Sequence, residues 1–151
     1  MKTAVFPGSF DPITLGHESI IRRAIPLFDK IYIAIGINAD KSGYFPLEQR
    51  IQWIRNVFSD EPSILVESYQ GLTIDFCKSK NALYMIRGLR TSADFEFERS
   101  VAQVNSRLDA GIETLFFLTK PEHVMITSSI VREVHKYGGD IRQFVPAAVM
   151  I

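Results

Sequence analysis

Short β-prone apolar runs alternate along the chain with longer segments of helical spacing, and this alternation constrains the fold more than any other feature. The runs are KTAVF (2–6), IYIAIGI (31–37), SILVE (63–67), ALYMI (82–86) and ETLFFLT (113–119). The first stops at Pro7-Gly8. The second is almost continuously apolar, as in a strand covered on both faces of a parallel sheet. Between the runs, apolar residues recur at three and four. Ile20, Ile21, Ala24, Leu27 and Phe28 do so from about His17 to Phe28, with Pro26 marking a last turn or a kink. Pro46 is well placed to open a helix carrying Leu47, Ile51, Ile54, Val57 and Phe58. A Gly71-led segment with Leu72, Phe76 and Cys77 reads as a third helix. Residues 91–109 form a long one with Phe95, Val101, Val104 and Leu108 expected inward, and 128–139 a last one that Gly138-Gly139 can end. Strict alternation with short connections predicts right-handed crossovers and an α/β fold: a single doubly wound, mostly parallel five-stranded sheet with helices on both faces. One domain over residues 1–151 is expected, with no linker.

Composition narrows the function classes. Seventeen Lys and Arg balance seventeen Asp and Glu, so no bulk charge draws the chain to nucleic acid or an anionic membrane, and any phosphate-binding charge must be local. The aromatic residues fall at periodic core positions rather than between Lys and Arg, which argues against an RNA-stacking surface. Apolar stretches fall far short of the ~20 residues a membrane helix needs. The single cysteine, Cys77, cannot form an internal disulfide, and the apolar run before Pro7 is too short for a signal sequence, so a cytoplasmic setting is expected.

In open parallel sheets ligands sit beyond the carboxyl ends of the strands, which directs attention to 7–16, 38–46, 68–71, 87–90 and 120–127. PGSFDPITLGH (7–17) joins a strand to a helix and offers backbone N–H groups beside a positive helix end, a phosphate site in outline. It has neither the Walker A nor the GxGxxG residues. The alternative is an ordinary turn in which Asp11 and Thr14 satisfy backbone donors. Arg87 and Arg90 bracket Gly88 at the same sheet edge, where guanidinium forks suit an anion; equally, they can pair with Asp94, Glu96 or Glu98. Thr127, Ser128 and Ser129 stand at a helix start as N-caps or as polyphosphate donors, and Arg132 one turn on can face a phosphate or solvate the helix. Three histidines and one cysteine in unrelated segments give no zinc spacing, and no GxSxG elbow or Cys-His arrangement is present, which argues against a covalent-nucleophile hydrolase.

GSFDPITLGH (8–17), IRGLRTSADFEFE (86–98) and ITSSIVREV (126–134) together resemble the bacterial phosphopantetheine adenylyltransferases, from the first run to about Val145. TLGH (14–17) matches the (T/H)xGH signature of the nucleotidylyltransferase superfamily, and ITSSIVR (126–132) is similar to its ISSTxxR signature, with Thr127 in the first serine position. The RGLR…DFE…E segment narrows the resemblance to the pantetheine enzymes. It implies a Rossmann-like nucleotidylyltransferase fold, transfer of the adenylyl group of ATP to 4′-phosphopantetheine to give dephospho-coenzyme A and pyrophosphate, Mg²⁺, a homohexamer, and coenzyme A as a feedback ligand. It further implies His17, Lys41 and Arg90 as catalytic residues. Ser9, Lys41, Thr73 and Arg87 would bind the acceptor. Ser9, Phe10, His17, Gly88, Leu89, Arg90, Glu98, His123, Val124, Met125, Ile126, Thr127, Ser128 and Ser129 would bind ATP. Two departures from the family pattern stand out. Ser42-Gly43 follows Lys41 and loosens that loop, and His123 occupies a position where an aromatic residue is frequent.

Overall fold

The computed structural model describes residues 1–151. Five parallel strands form one sheet: β1 (Thr3–Gly8), β2 (Lys30–Gly36), β3 (Ile64–Tyr69), β4 (Tyr84–Leu89) and β5 (Glu113–Leu118), in the order β3-β2-β1-β4-β5. Between and after them come α1 (Leu15–Ala24), α2 (Leu47–Val57), α3 (Thr73–Ser79), α4 (Ser92–Leu108) and α5 (Ser128–Lys136). The chain order reverses between β1 and β4, at the centre of the sheet, as in other doubly wound folds.

Alternation along the two innermost runs divides the core. Ala4, Phe6, Ile31, Ile33 and Ile35 face a 22-residue cluster built with Ile20 and Ile21 of α1, Ile51 and Ile54 of α2, and Val131 of α5. Val5 and Ala34 face the opposite side, where an eight-residue cluster gathers Ile74, Phe76 and Cys77 of α3 with Met85 and Ile112. Both faces of β1 and β2 are thereby dry, which accounts for the unbroken apolar run at 31–37. The segment after α5 returns over α1: the Phe144 carbonyl accepts from Leu15 N–H at 3.0 Å, and Ile141, Val145 and Val149 join the larger core.

Three expectations need correction. β1 does not stop at Pro7 but runs through it to Gly8, paired with β2 to Ile35. A proline is tolerated here because β1 pairs with β4 only at Ala4–Tyr84 and Val5–Met85, so the missing N–H falls where the two strands have already parted. Likewise β4 continues through Arg87, Gly88 and Leu89, which are strand and not loop, held in register by β5 from Tyr84–Glu113 to Leu89–Leu118. Finally, α4 buries none of its residues: Phe95, Val101, Val104 and Leu108 are exposed, with Val104 59% exposed. The smaller core is already filled by α3, so the apolar stripe of α4 stands over its edge. Phe95 pairs with the ring of Phe116 of β5, at 6.2 Å between centroids. Pro26 lies in a 3-10 turn (Ile25–Leu27) that ends α1, as the sequence suggests.

Ile33 is fully buried in the middle of β2 with core on its side of the sheet. Ile33→Ala is expected to cost ~2–5 kcal/mol in urea unfolding, as other large-to-small core truncations do.

Candidate active site

Past Val5 and Met85 the two central strands diverge, and the gap between their carboxyl ends is the floor of the site. A cleft of about 550 Å³ opens there, walled by the 8–17 loop, the end of β4, α4 and the start of α5. Ser9, Phe10, His17, Arg87, Gly88, Arg90, Glu98, His123, Ile126, Thr127, Ser128 and Ser129 all line it, so most of the residues singled out from the sequence are brought together. Two more clefts adjoin. One of about 330 Å³ is lined by Thr73 with Tyr69, Arg87, Glu98 and the inner side of α4. Another, of about 490 Å³, is lined by Lys41 and its neighbours. Ser9 lines all three and stands at their junction. Leu89, Val124 and Met125 line none of them, and Met125 is 72% exposed.

The TLGH spacing has a local physical reason. Thr14 is the N-cap of α1, and His17 is the third helical residue, so the two side chains can satisfy each other's backbone. The Thr14 hydroxyl accepts from His17 N–H at 3.4 Å, while His17 Nδ1 accepts from Thr14 N–H at 3.0 Å. An Nδ1 that accepts leaves the proton on Nε2, and no protein acceptor meets that N–H. Phe10 packs edge-on to the imidazole at 5.0 Å between rings, and Phe6 at 6.4 Å. Enclosure of the ring, and then the positive charges of Arg87 and Arg90, hold the His17 pKa down to about 4. The imidazole is therefore a neutral donor at physiological pH.

Both arginines are already engaged. Arg87 lays its fork on Glu98, Nε to Oε2 at 2.9 Å and Nη2 to Oε1 at 2.7 Å, and its Nη1 donates to the Pro7 carbonyl at 2.6 Å. That last bond bridges the parted strands where their own ladder has ended. Three of the five guanidinium N–H groups are thus used and two remain. Arg90 holds Asp94 through Nε at 3.1 Å and Nη2 at 3.3 Å. The carboxylate pairing foreseen as the alternative for these arginines is present, and Glu98 is turned to Arg87. Gly88 between them admits α1: a Cβ there would meet Ile20 Cδ1 at 2.5 Å.

At the other wall, Thr127 caps α5 by accepting from Ile130 N–H at 3.1 Å, which is the capping role weighed for it. The Ser128 hydroxyl donates to the Pro12 carbonyl at 2.8 Å, and Arg132 Nη1 donates to the Asp11 carbonyl at 2.7 Å, so α5 is tied to the 8–17 loop. The amides of Ser128 and Ser129 have no protein acceptor and lie at the positive end of the helix. His123 Nδ1 is buried without a partner.

Sequence reasoning passed over Phe97, Val101 and Asn105, which line the cleft beside Thr73. They follow one another at four-residue steps along α4, a visible signal of one helix face, but the apolar residues of that helix were assigned to the core. Arg132 also lines the main cleft.

The arrangement is a set of fixed donors around a gap at the carboxyl end of a parallel sheet, and the hydroxyl beside His17, Thr14 Oγ1 at 3.2 Å from Nδ1, is buried in the cap of α1, as suits a class of enzymes that bind phosphoanhydrides and transfer groups between phosphates. The chain belongs to the cytidylyltransferase-like family, whose model matches residues 5–134. Within that family it is similar along its whole length to phosphopantetheine adenylyltransferases. It is 56% identical to that of Flavobacterium psychrophilum, over all of this chain and 99% of that one. To that of Bacteroides fragilis it is 48% identical, over 97% of each. Among solved structures the fold matches nicotinic acid mononucleotide adenylyltransferase of Plasmodium falciparum with a TM-score of 0.69 at 18% identity, over 99% of this chain and 93% of that one. It also matches a bifunctional NMN adenylyltransferase/ADP ribose pyrophosphatase of Francisella tularensis with a TM-score of 0.74 at 17% identity, covering 95% of this chain and 44% of that longer one.

The reciprocal cap makes a direct spectroscopic prediction. Nitrogen-detected NMR of the free protein should show His17 as the neutral Nε2–H tautomer from pH 8 to pH 5, titrating near the value of about 4. The unfolded imidazole, at its ordinary 6.5, takes up a proton that the folded one refuses, so His17 contributes a loss of stability as pH falls from 6.5 towards 4 and nothing above. His17→Gln should flatten that part of the pH–stability curve.

Proposed function

We propose that this chain transfers the adenylyl group of ATP to 4′-phosphopantetheine, forming dephospho-coenzyme A and pyrophosphate in coenzyme A biosynthesis. The observation that carries the reading is the reciprocal cap of Thr14 and His17, which holds the imidazole in the cleft between β1 and β4 with its Nδ1 accepting from Thr14 N–H at 3.0 Å. Full-length identity to phosphopantetheine adenylyltransferases supports the choice of acceptor.

The chemistry asks little of the protein beyond placement. An oxygen of the 4′-phosphate attacks the α-phosphorus of ATP, the bond to the β-bridging oxygen breaks, and pyrophosphate leaves with that electron pair. The nucleophile is already an anion and needs no base. In this reading His17 Nε2–H donates to the α-phosphoryl oxygens as their charge grows, and being neutral it gives up no hydration of a charged ring to do so. Arg90 and the free amides of Ser128 and Ser129 meet the β- and γ-phosphates, with Ser9, Phe10, Gly88, Glu98 and the His123–Ser129 stretch around the nucleotide. The two free N–H groups of Arg87 and the ammonium of Lys41 meet the acceptor phosphate. The pantetheine arm lies in the cleft of about 330 Å³, along Thr73, Val101 and Asn105.

No group of three or more His, Cys, Asp or Glu able to hold a metal ion is present, and Glu98 and Asp94 are engaged by arginines. The Mg²⁺ that the family resemblance implies would come to the site with the nucleotide, held by its phosphate oxygens, and would offset charge on the leaving pyrophosphate. Coenzyme A carries both the arm and the adenylyl group, so it fits the joined clefts as a feedback ligand. The exposed stripe of Phe97, Val104 and Leu108 on α4 supports self-association, which the family resemblance makes a homohexamer, and light scattering at micromolar concentration should read six subunits, a stable active monomer being the contrary result. No helix is long and apolar enough to cross a membrane, and the buried, unpaired Cys77 suits a reducing compartment such as the cytoplasm.

Incubation with ATP and a panel of phosphate-bearing acceptors, read by pyrophosphate release, tests the reading: 4′-phosphopantetheine should turn over and nicotinamide mononucleotide should not, whereas the opposite pattern overturns it. His17→Ala should lower kcat on the order of 10²-fold or more while leaving the ATP Kd near that of wild type. Arg87→Ala should raise the KM for 4′-phosphopantetheine with little change in ATP affinity, whereas Ser128→Ala, which keeps the amide but cuts the tie of its hydroxyl to the Pro12 carbonyl, should weaken ATP through the helix start that tie positions. Equal damage to both substrates in the Arg87 variant would reduce that residue to the partner of Glu98.

A further inference from the structure

The reaction as proposed needs two loops in fixed relation, the 8–17 loop that carries His17 and the 37–46 segment that carries Lys41, yet no strand pairing joins them beyond Gly8. Asp11 does. Its buried carboxylate reaches across to the exit of the Lys41 loop, where Oδ2 accepts from Tyr44 N–H at 2.7 Å and Oδ1 from Phe45 N–H at 2.9 Å. Arg50 of α2, also buried, closes the junction from beneath. Its Nε donates to the Phe45 carbonyl at 3.0 Å and lies 3.9 Å from Asp11 Oδ1, and its Nη1 donates to the Ser9 carbonyl at 2.8 Å. The backbone of Asp11 is meanwhile held by Arg132 of α5.

Gly43 gives an independent sign that this junction is built. A Cβ at that position would meet Arg50 Nη2 at 2.7 Å and Asp11 Oδ2 at 3.0 Å, so any larger residue would push the pair or the loop aside. The Ser42-Gly43 step, read from sequence as a loosening of the loop, is its seat.

We propose that Asp11 is a positioning residue for adenylyl transfer: its carboxylate clamps the exit of the Lys41 loop to the nucleotide loop and so sets where the Lys41 ammonium stands relative to the phosphorus under attack. This rests on the function proposed above, and on Lys41 serving the acceptor phosphate. The carboxylate suits the task because it can accept two backbone N–H groups at once while offsetting a buried guanidinium. An asparagine has the same shape but must set an NH₂ against one of those two donors.

The test is a double-mutant cycle on kcat, with ATP binding measured alongside. Asp11→Asn should lower kcat by roughly 10–10²-fold, the scale of a misplacement of about 1 Å, with the ATP Kd within about twofold of wild type. In a Lys41→Ala background the same substitution should change kcat by less than about threefold, because the group it positions is gone. Gly43→Ala, which presses on the same pair from the loop side, should repeat the pattern. Full additivity of Asp11→Asn with Lys41→Ala, a parallel loss of ATP affinity, or failure of both Asp11→Asn and Gly43→Ala to fold would overturn the proposal and leave Asp11 a structural residue. Wild-type turnover of 4′-phosphopantetheine is measured in the same series, so a failure of the broader functional reading shows there first and is distinct from wild-type-like activity of the Asp11 variant.

Discussion

The structure depends on the parting of β1 and β4 after two paired residues at the centre of an otherwise continuous parallel sheet. Continued pairing would close the sheet and leave no place for a ligand. Divergence instead exposes backbone groups of two buried strands to a common gap, and the chain answers that cost locally. Pro7 removes a donor that would have no partner, and Arg87 supplies one to the Pro7 carbonyl at 2.6 Å. The same guanidinium that patches the gap is the one proposed above for the acceptor phosphate, so the repair of the sheet and the recognition of an anion would use one side chain.

A second consequence concerns charge. A cleft meant for polyphosphate is expected to be strongly cationic, yet here Arg87 and Arg90 are paired in advance with Glu98 and Asp94, the histidine is neutral, and Arg132 is held by a carbonyl and a hydroxyl. The donors are consequently held in geometry by partners of their own, and a ligand meets an array that does not have to be ordered at the moment of reaction. The ties from Ser128 to Pro12, from Arg132 to Asp11 and from Asp11 to Tyr44 and Phe45 extend that array outward. They link the walls of the site through the 8–17 loop.

Much of this was legible in the sequence, and the misses have physical causes. The parallel sheet could be read because β1 and β2 are buried on both faces and their runs show it. The TLGH motif could be located, and the cap between Thr14 and His17 gives its spacing a reason. Boundaries at Pro7 and at Arg87–Leu89 were misplaced because a proline, an arginine and a glycine read as turn residues, and only the tertiary fact of strand divergence makes them strand. On α4 periodicity marked Phe95, Val101, Val104 and Leu108 as inward, but periodicity does not say what a residue meets, and none of them is buried. Phe97, Val101 and Asn105 meet a cleft, and Val104 and Leu108 meet none of the core. The long-range role of Asp11 was equally hidden, since its partners lie 33 and 34 residues away.

On the function proposed above, the chain offers the reacting phosphates placement and hydrogen-bond donors, with no nucleophile of its own, so that the acceptor attacks ATP directly. The most direct measurement is the stereochemical course at the α-phosphorus, followed with ATP made chiral there by sulfur substitution. A single in-line displacement predicts inversion in the adenylylated product. Net retention would require two displacements, hence a covalent adenylyl intermediate on a side chain, and would contradict the account.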